Sequence, residues 1–253
     1  MNAAMFNATD TASYDRFMGR FSTKLAPLFA DFAGIAAGQH VLDVGAGTGA
    51  LTAELVARDA DVSVAEPSPS FAEALPRRFP GLDVRRTGAE ELPWADETFD
   101  ASLAQLVVTF MQDAPAGVAE MRRVVRRGGV VAICMWDIDG MEMLSALRQA
   151  QHEVDPGAAS ISTGMRYRTR AELEEMLGPD VETELLAVEA AYSDYDELWT
   201  SFAESAGPTA GWVRSLDDGK RAEARDELRR QVGEPQGPFS LVGRAWAARV
   251  RRA

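Results

Sequence analysis

A nine-residue stretch, VLDVGAGTG at positions 41–49, constrains the fold of this chain more than any other feature. A short apolar run leads into three glycines at alternate positions, Gly45, Gly47 and Gly49, and a segment with helical spacing follows. Glycine allows a tight turn and lets a ligand approach the backbone closely. The start of the helix offers unpaired N–H groups and the positive end of its dipole. The stretch therefore predicts a strand–loop–helix junction that binds a ligand.

Strand and helix patterns alternate along the first half of the chain. Apolar runs predict strands at 40–44, 62–66, 82–86, 99–108 and 130–136, and helical spacing predicts helices at 49–58, 69–79 and 114–125. Such alternation is typical of a parallel sheet with helices on both faces. An apolar stripe with helical spacing precedes it and ends near Gly34 or Gly38. The second half is less regular, with predicted helices at 170–177, 194–205 and 217–232 and predicted strands at 181–190 and 237–248.

Composition excludes several classes of partner. The net charge of −13 argues against binding to a nucleic-acid backbone or an anionic membrane surface. No apolar run approaches the ~20 residues of a membrane span, and the N-terminus does not resemble a signal peptide. The single cysteine, Cys134, excludes an internal disulfide, and no cluster has the spacing of metal ligands. We expect a cytoplasmic protein without a metal, and the oligomeric state is not predicted.

The glycine loop alone is compatible with two cofactors. Residues 45–50 also satisfy G-x-G-x-x-A, the fingerprint of dinucleotide-binding folds. Glu66 ends the second predicted strand, where a carboxylate can accept both hydroxyls of a ribose. NAD and S-adenosylmethionine (SAM) both carry such a ribose, so these residues leave the two open.

Two other features favour SAM. Asp43 lies inside an apolar strand, and a lone buried carboxylate is costly, so it needs a partner. We expect that partner to be the ammonium group of SAM together with loop N–H groups, and a dinucleotide has no ammonium. No tyrosine has a lysine four residues later, as short-chain dehydrogenases require. A nicotinamide-dependent oxidoreductase and a SAM-binding protein without methyl transfer remain the alternatives.

Several segments together resemble a known family. They are YDRFMGRFSTKLAPLF, VLDVGAGTGALT, VSVAEPSPSF, TGAEELPWADETFDASLAQLVVTFMQD, AEMRRVVRRGGVVAICMWD and GPFSLVGRAWAAR. The chain resembles class I SAM-dependent methyltransferases of the small-molecule group that includes ubiquinone/menaquinone-biosynthesis methyltransferases. The resemblance implies a Rossmann-like, doubly wound α/β fold whose seven-stranded sheet is mostly parallel, with an antiparallel C-terminal strand. It also implies one domain over 1–253, with an N-terminal helical lid at 13–36 and a small helical cap at 138–168.

The resemblance further implies which residues meet the cofactor. Those expected at its methionine half and methyl group are Asp43, Gly45, Ala46, Gly47, Thr48, Gln105 and Leu106. Those expected at the ribose and adenine are Glu66, Pro67, Ser68, Gly88, Ala89 and Glu90. Those expected on the N-terminal helix that closes over the cofactor are Tyr14, Phe17, Met18 and Arg20. Relatives usually carry an acidic residue where this chain has Gly88, and Glu90, Glu91 or a backbone carbonyl are the possible substitutes.

The expected reaction is in-line transfer of the methyl group from SAM to a small, partly apolar acceptor. Positioning and exclusion of water supply much of the acceleration, so a general base is optional. His152 and Asp137 are the candidates for such a base. The candidates for an acceptor pocket are Trp136, Met141, Tyr167 and Tyr192.

Overall fold

Seven strands form one mixed sheet in the computed structural model, which describes residues 15–161, 163, 166–205 and 208–253. The strands are β1 (His40–Val44), β2 (Asp61–Ala65), β3 (Asp83–Arg85), β4 (Phe99–Gln105), β5 (Val125–Trp136), β6 (Glu182–Tyr192) and β7 (Phe239–Arg251). Their order across the sheet is β3-β2-β1-β4-β5-β7-β6, and β7 runs antiparallel to both of its neighbours, β5 and β6, whereas the other pairs are parallel. This topology confirms the predicted Rossmann-like fold.

Helices cover both faces of the sheet. They are α1 (Arg20–Ala33), α2 (Ala50–Ala57), α3 (Pro69–Arg78), α4 (Ala114–Val124), α5 (Glu142–Val154), α6 (Arg170–Leu177), α7 (Tyr195–Ala203), α8 (Pro208–Ser215) and α9 (Asp218–Gln231). Apolar residues of α4 and α6 belong to one buried cluster, and those of the other helices belong to a second. Within the described residues, no helix is long and apolar enough to cross a membrane.

The central strands are mostly apolar because both of their faces are buried. Side chains alternate between the faces of a strand, and in β5 Ala132 and Cys134 face one buried cluster whereas Ile133 and Met135 face the other. Because β1, β2, β4 and β5 are parallel, their carboxyl ends meet at one edge of the sheet. In such sheets, ligands bind at that edge.

The start of β5 differs from the prediction. The strand was predicted to begin at 130, but α4 ends at Val124 and β5 begins at once with Val125. A Cβ added to Gly129 would lie 2.5 Å from the carbonyl oxygen of Asp100, so this glycine permits close approach of β4. Arg126 lies in this first part of β5 and pairs with Asp100.

Three helices are inserted between β6 and β7. Of these, α8 was not predicted, because its GPTAG sequence is typical of a turn; Pro208 opens the helix, a position where a missing N–H costs nothing. Within the proposed cap, α5 packs against α9 and β7. The lid at 13–36 and the cap at 138–168 stay predictions.

Candidate functional site

The three glycines after β1 have left-handed backbone angles, as the predicted tight loop requires. Their φ values are 72° for Gly45, 56° for Gly47 and 87° for Gly49. A Cβ on Gly45 would lie 2.5 Å from Val107, and one on Gly49 would lie 2.7 Å from Phe79. A Cβ on Gly47 would have no heavy atom within 4 Å. Gly45 and Gly49 are therefore needed for packing, whereas Gly47 leaves open space beside the loop.

Glu66 joins the end of β2 to the glycine loop. One carboxylate oxygen accepts the Gly47 N–H at 2.8 Å and the other accepts the Ser68 N–H at 2.8 Å. Burial raises the pKa of Glu66, and these two hydrogen bonds oppose the rise. Each oxygen has a second lone pair. The carboxylate can therefore still accept the two hydroxyls of a ribose, so this part of the site fits SAM.

Asp43 is buried beneath the loop, and its partner within the protein is a hydroxyl and not the expected loop N–H groups. The Thr52 hydroxyl, in the first turn of α2, donates to its carboxylate at 2.6 Å, and no loop N–H of the described residues has a hydrogen bond to Asp43. Burial raises the pKa of Asp43 to about 7; the Thr52 hydrogen bond opposes this and the Glu66 charge adds to it. A cation placed beside Asp43 would favour its ionised form, as the ammonium of SAM would.

The end of β4 carries backbone strain beside the loop. The strand ends at Gln105, one residue before the predicted site residue Leu106, whose φ is 63°. A positive φ is uncommon outside glycine and often marks a functional position. The side-chain amide N–H of Gln105 donates to the Ser22 carbonyl at 3.1 Å. Its buried side-chain oxygen has no hydrogen-bond partner within the described residues and is free for a ligand donor.

Glu90 occupies the space that a side chain at position 88 would use. One carboxylate oxygen of Glu90 accepts N–H groups of Gln112 at 2.7 Å and Asp113 at 3.2 Å. The other lies 2.8 Å from the position of a Cβ added to Gly88. Of the three substitutes considered for the missing acid, Glu90 is therefore the one with a carboxylate at this position. The neighbouring Ala89 is buried, and Pro67 is exposed.

The N-terminal segment is held against the insertion between β6 and β7. Phe17 packs edge-on against Phe202 of α7, and Met18 packs on the same core. The Arg20 guanidinium pairs with Glu197 at 2.7 Å and lies over the Tyr192 ring. Tyr14, also predicted here, lies outside the described residues.

The proposed acceptor residues divide between the two faces of the sheet. Trp136, Met141 and Tyr192 are buried in one cluster, together with α1, whereas Tyr167 packs on the other. Burial raises the pKa of Tyr192 far above its usual range.

The two candidates for a general base lie apart in the fold. Asp137 follows β5 at the carboxyl edge of the sheet. His152 is exposed in the last turn of α5, in a cleft with Arg148 and Gln231. Among the described residues, neither side chain has a hydrogen bond or ion pair with the glycine loop, and both assignments stay predictions.

Comparison with known proteins identifies the family. Residues 42–133, which hold β1 to most of β5, match the family model of the methyltransferase domain. An uncharacterized protein of Mycobacterium tuberculosis is 31% identical over 208 residues, covering 77% of this chain and 73% of the relative. A solved structure named as a candidate type II methyltransferase, from Anaeromyxobacter dehalogenans, matches with a TM-score of 0.63 at 20% identity over 89% of this chain and 95% of its own.

A phosphoethanolamine N-methyltransferase from Haemonchus contortus, solved with phosphomonomethylethanolamine and S-adenosylhomocysteine, has the same fold. It matches with a TM-score of 0.55 at 13% identity, over 98% of this chain and 58% of its own. The family match, the strand order and the glycine junction agree with one another. The chain belongs to the class I SAM-dependent methyltransferases.

Proposed function

We propose that the protein transfers the methyl group of SAM to a small-molecule acceptor by in-line displacement. One arrangement carries this proposal: two carboxylates, Asp43 and Glu66, are buried at the glycine loop, and Glu66 accepts the N–H of Gly47, whose missing side chain leaves open space. Asp43, whose pKa is raised, suits the ammonium of an amino-acid group. Glu66, whose oxygens keep spare lone pairs, suits the two hydroxyls of a ribose. SAM carries both groups, whereas a nicotinamide dinucleotide carries only the second.

The residues of the site bind, orient and exclude water. SAM, when bound, supplies a methyl group on a positively charged sulfur. Asp43 would hold the ammonium, Glu66 the ribose, and the unpaired oxygen of Gln105 another polar hydrogen at the methionine end. Holding an acceptor in line with the methyl group removes much of the entropic cost of the reaction. No proton transfer is needed before displacement when the acceptor atom has a free lone pair, so the proposal does not require His152 or Asp137.

A small acceptor is supported by charge and by the neighbouring fold. The net charge of −13 opposes nucleic-acid substrates. The Haemonchus contortus neighbour holds a small molecule, phosphomonomethylethanolamine. Trp136 ends β5 and Met141 follows it, and the two would give an adaptable apolar wall if their cluster opened. Membership of the ubiquinone/menaquinone group and a cytoplasmic location stay part of the proposal.

Two measurements test this function. S-Adenosylhomocysteine (SAH) should raise the melting temperature and bind in calorimetry, whereas NAD(H) and NADP(H) should do neither. Transfer of a labelled methyl group from SAM to members of a panel of small phenols, amines and carboxylic acids should then identify an acceptor. Stabilisation by a nicotinamide dinucleotide and not by SAH would overturn the proposal. SAH binding combined with methyl transfer only to macromolecules would overturn its small-molecule part.

A further inference from the structure

A cleft with three basic side chains lies beside the glycine loop. It has a volume of about 490 Å³, and Arg20 and Lys24 of α1, Thr48 of the loop and Arg78 of α3 are among its lining residues. No Asp or Glu lines it among the described residues, although the chain holds 39 acidic residues and a net charge of −13. Lys24 is one of only two lysines in the sequence. A cationic surface in so acidic a chain requires a specific explanation.

Two of the three cations keep an uncompensated charge. The Lys24 ammonium donates to the Glu189 carbonyl at 2.7 Å, and the Arg78 guanidinium donates to the Thr48 carbonyl at 2.6 Å. Both partners are neutral backbone oxygens, so neither bond neutralises the cation. Each side chain also retains further N–H donors. Arg20, by contrast, is paired with Glu197.

The start of α2 adds the positive end of a helix dipole to the same cleft. Ala50, its first residue, lines the cleft, and no side chain caps this helix at Gly49. The first N–H groups of an uncapped helix favour an anion. Two uncompensated cations and a helix N-terminus therefore converge from α1, α3 and α2 on one space next to the loop.

We propose that Lys24, Arg78 and the start of α2 form a binding site for a carboxylate. The inference rests on the proposed function, because two sources can supply that carboxylate there: the amino-acid group of SAM itself, or an acidic group on the methyl acceptor. Thr48 lines this cleft and also belongs to the loop expected at the methionine half of SAM. The carboxylate of SAM is therefore one source. The cleft is larger than one carboxylate requires and extends to Ala191 at the end of β6. It therefore also has room for an acidic group of the methyl acceptor, which is the second source.

Charge removal tests the site. The variants are Lys24→Met, Arg78→Met and the double variant, with Arg77→Met as the matched control, because Arg77 is exposed on α3 and does not line the cleft. Arg78→Lys keeps the positive charge but replaces the guanidinium that donates to the Thr48 carbonyl. It therefore distinguishes the effect of the charge from the effect of this contact with the loop. Ligands are SAH, 5′-methylthioadenosine, which lacks the amino-acid group, and benzoate with its neutral analogue benzamide added to the SAH-saturated protein.

Each pattern of affinities decides the matter. If the cleft holds the carboxylate of SAM, the double variant binds SAH about tenfold more weakly or worse, while 5′-methylthioadenosine binds as before. If the cleft holds an acidic group of the acceptor, the double variant binds SAH as tightly as the wild type does. It then loses the wild type's preference for benzoate over benzamide. In both cases Arg77→Met has no effect and Arg78→Lys restores part of the loss. Unchanged SAH affinity together with no preference for benzoate in the wild type overturns the site. Failure of the wild type to bind SAH would instead overturn the proposed function.

Discussion

At the scale of single residues, the protonation of Asp43 links the site to pH. Its pKa of about 7 means that the carboxyl group is partly protonated near neutrality. A bound ammonium favours the ionised form, so the affinity for SAH should rise with pH up to about 7 and level off above it. Titration calorimetry between about pH 5.5 and 8 measures this. Asp43→Asn should bind weakly with little pH dependence, and an unchanged pH profile in that variant would exclude Asp43 as the partner.

Glu90 should determine which purine base the site accepts. The carboxylate oxygen of Glu90 that lies beside Gly88 can accept a hydrogen bond from the amino group of adenine, but it would repel a carbonyl oxygen at the same place. We expect the wild type to bind SAH at least about tenfold more tightly than S-inosylhomocysteine. Glu90→Gln should reduce this preference, because an amide can also donate, while its oxygen still serves the N–H groups of Gln112 and Asp113. Glu91→Gln is the control, and equal loss of preference in both variants would contradict the assignment.

At the scale of the loop as an element, Gly47 can be tested apart from Gly45. A Cβ at position 47 meets no protein atom, so the main cost of Gly47→Val is its left-handed backbone, which should lower stability by about 1–2 kcal/mol. The substitution fills the space beside the loop and should abolish SAH binding. Gly38→Val imposes similar backbone strain in a turn with open space, at φ 76°, and should leave binding intact. Chemical denaturation and calorimetry check both, and normal SAH affinity in Gly47→Val would refute the loop assignment.

Elements with local sequence signals were predictable, and those that depend on tertiary contacts were not. The strands from β1 to β4 and the glycine loop follow from short apolar runs and from glycine spacing, both readable over a few residues. The contact of Thr52 with Asp43 was missed because the helix that brings them together must first be placed on the strand. The helix α8 was missed because Pro208 and Gly211 are poor helix formers by propensity, and its packing against α7 overrides this.

At the scale of the whole molecule, buried and exposed acids respond to pH in opposite directions. The Arg249 guanidinium lowers the pKa of the exposed Glu182, so this ion pair stabilises the fold except at low pH. Burial raises the pKa of Asp43 and of Glu66, so ionisation of this pair opposes folding until a ligand compensates it. The site therefore costs stability when empty, as is common where a fold prepares a charge for a ligand.

The sign of this cost predicts how stability changes with pH. Asp43 has an ordinary pKa of 3.8 and a folded value of about 7, so between these values the folded state binds more protons than the unfolded state. The free energy of unfolding should therefore fall as pH rises from about 4 to about 7. Urea unfolding of the ligand-free protein should give a higher value near pH 5 than near pH 7.5. Asp43→Asn should remove most of that difference, whereas Asp61→Asn, at an exposed acid on β2, should not. Equal pH dependence in the wild type and Asp43→Asn would mean that the stability cost arises elsewhere, and saturating SAH should reduce the difference in the wild type because it binds the ionised form.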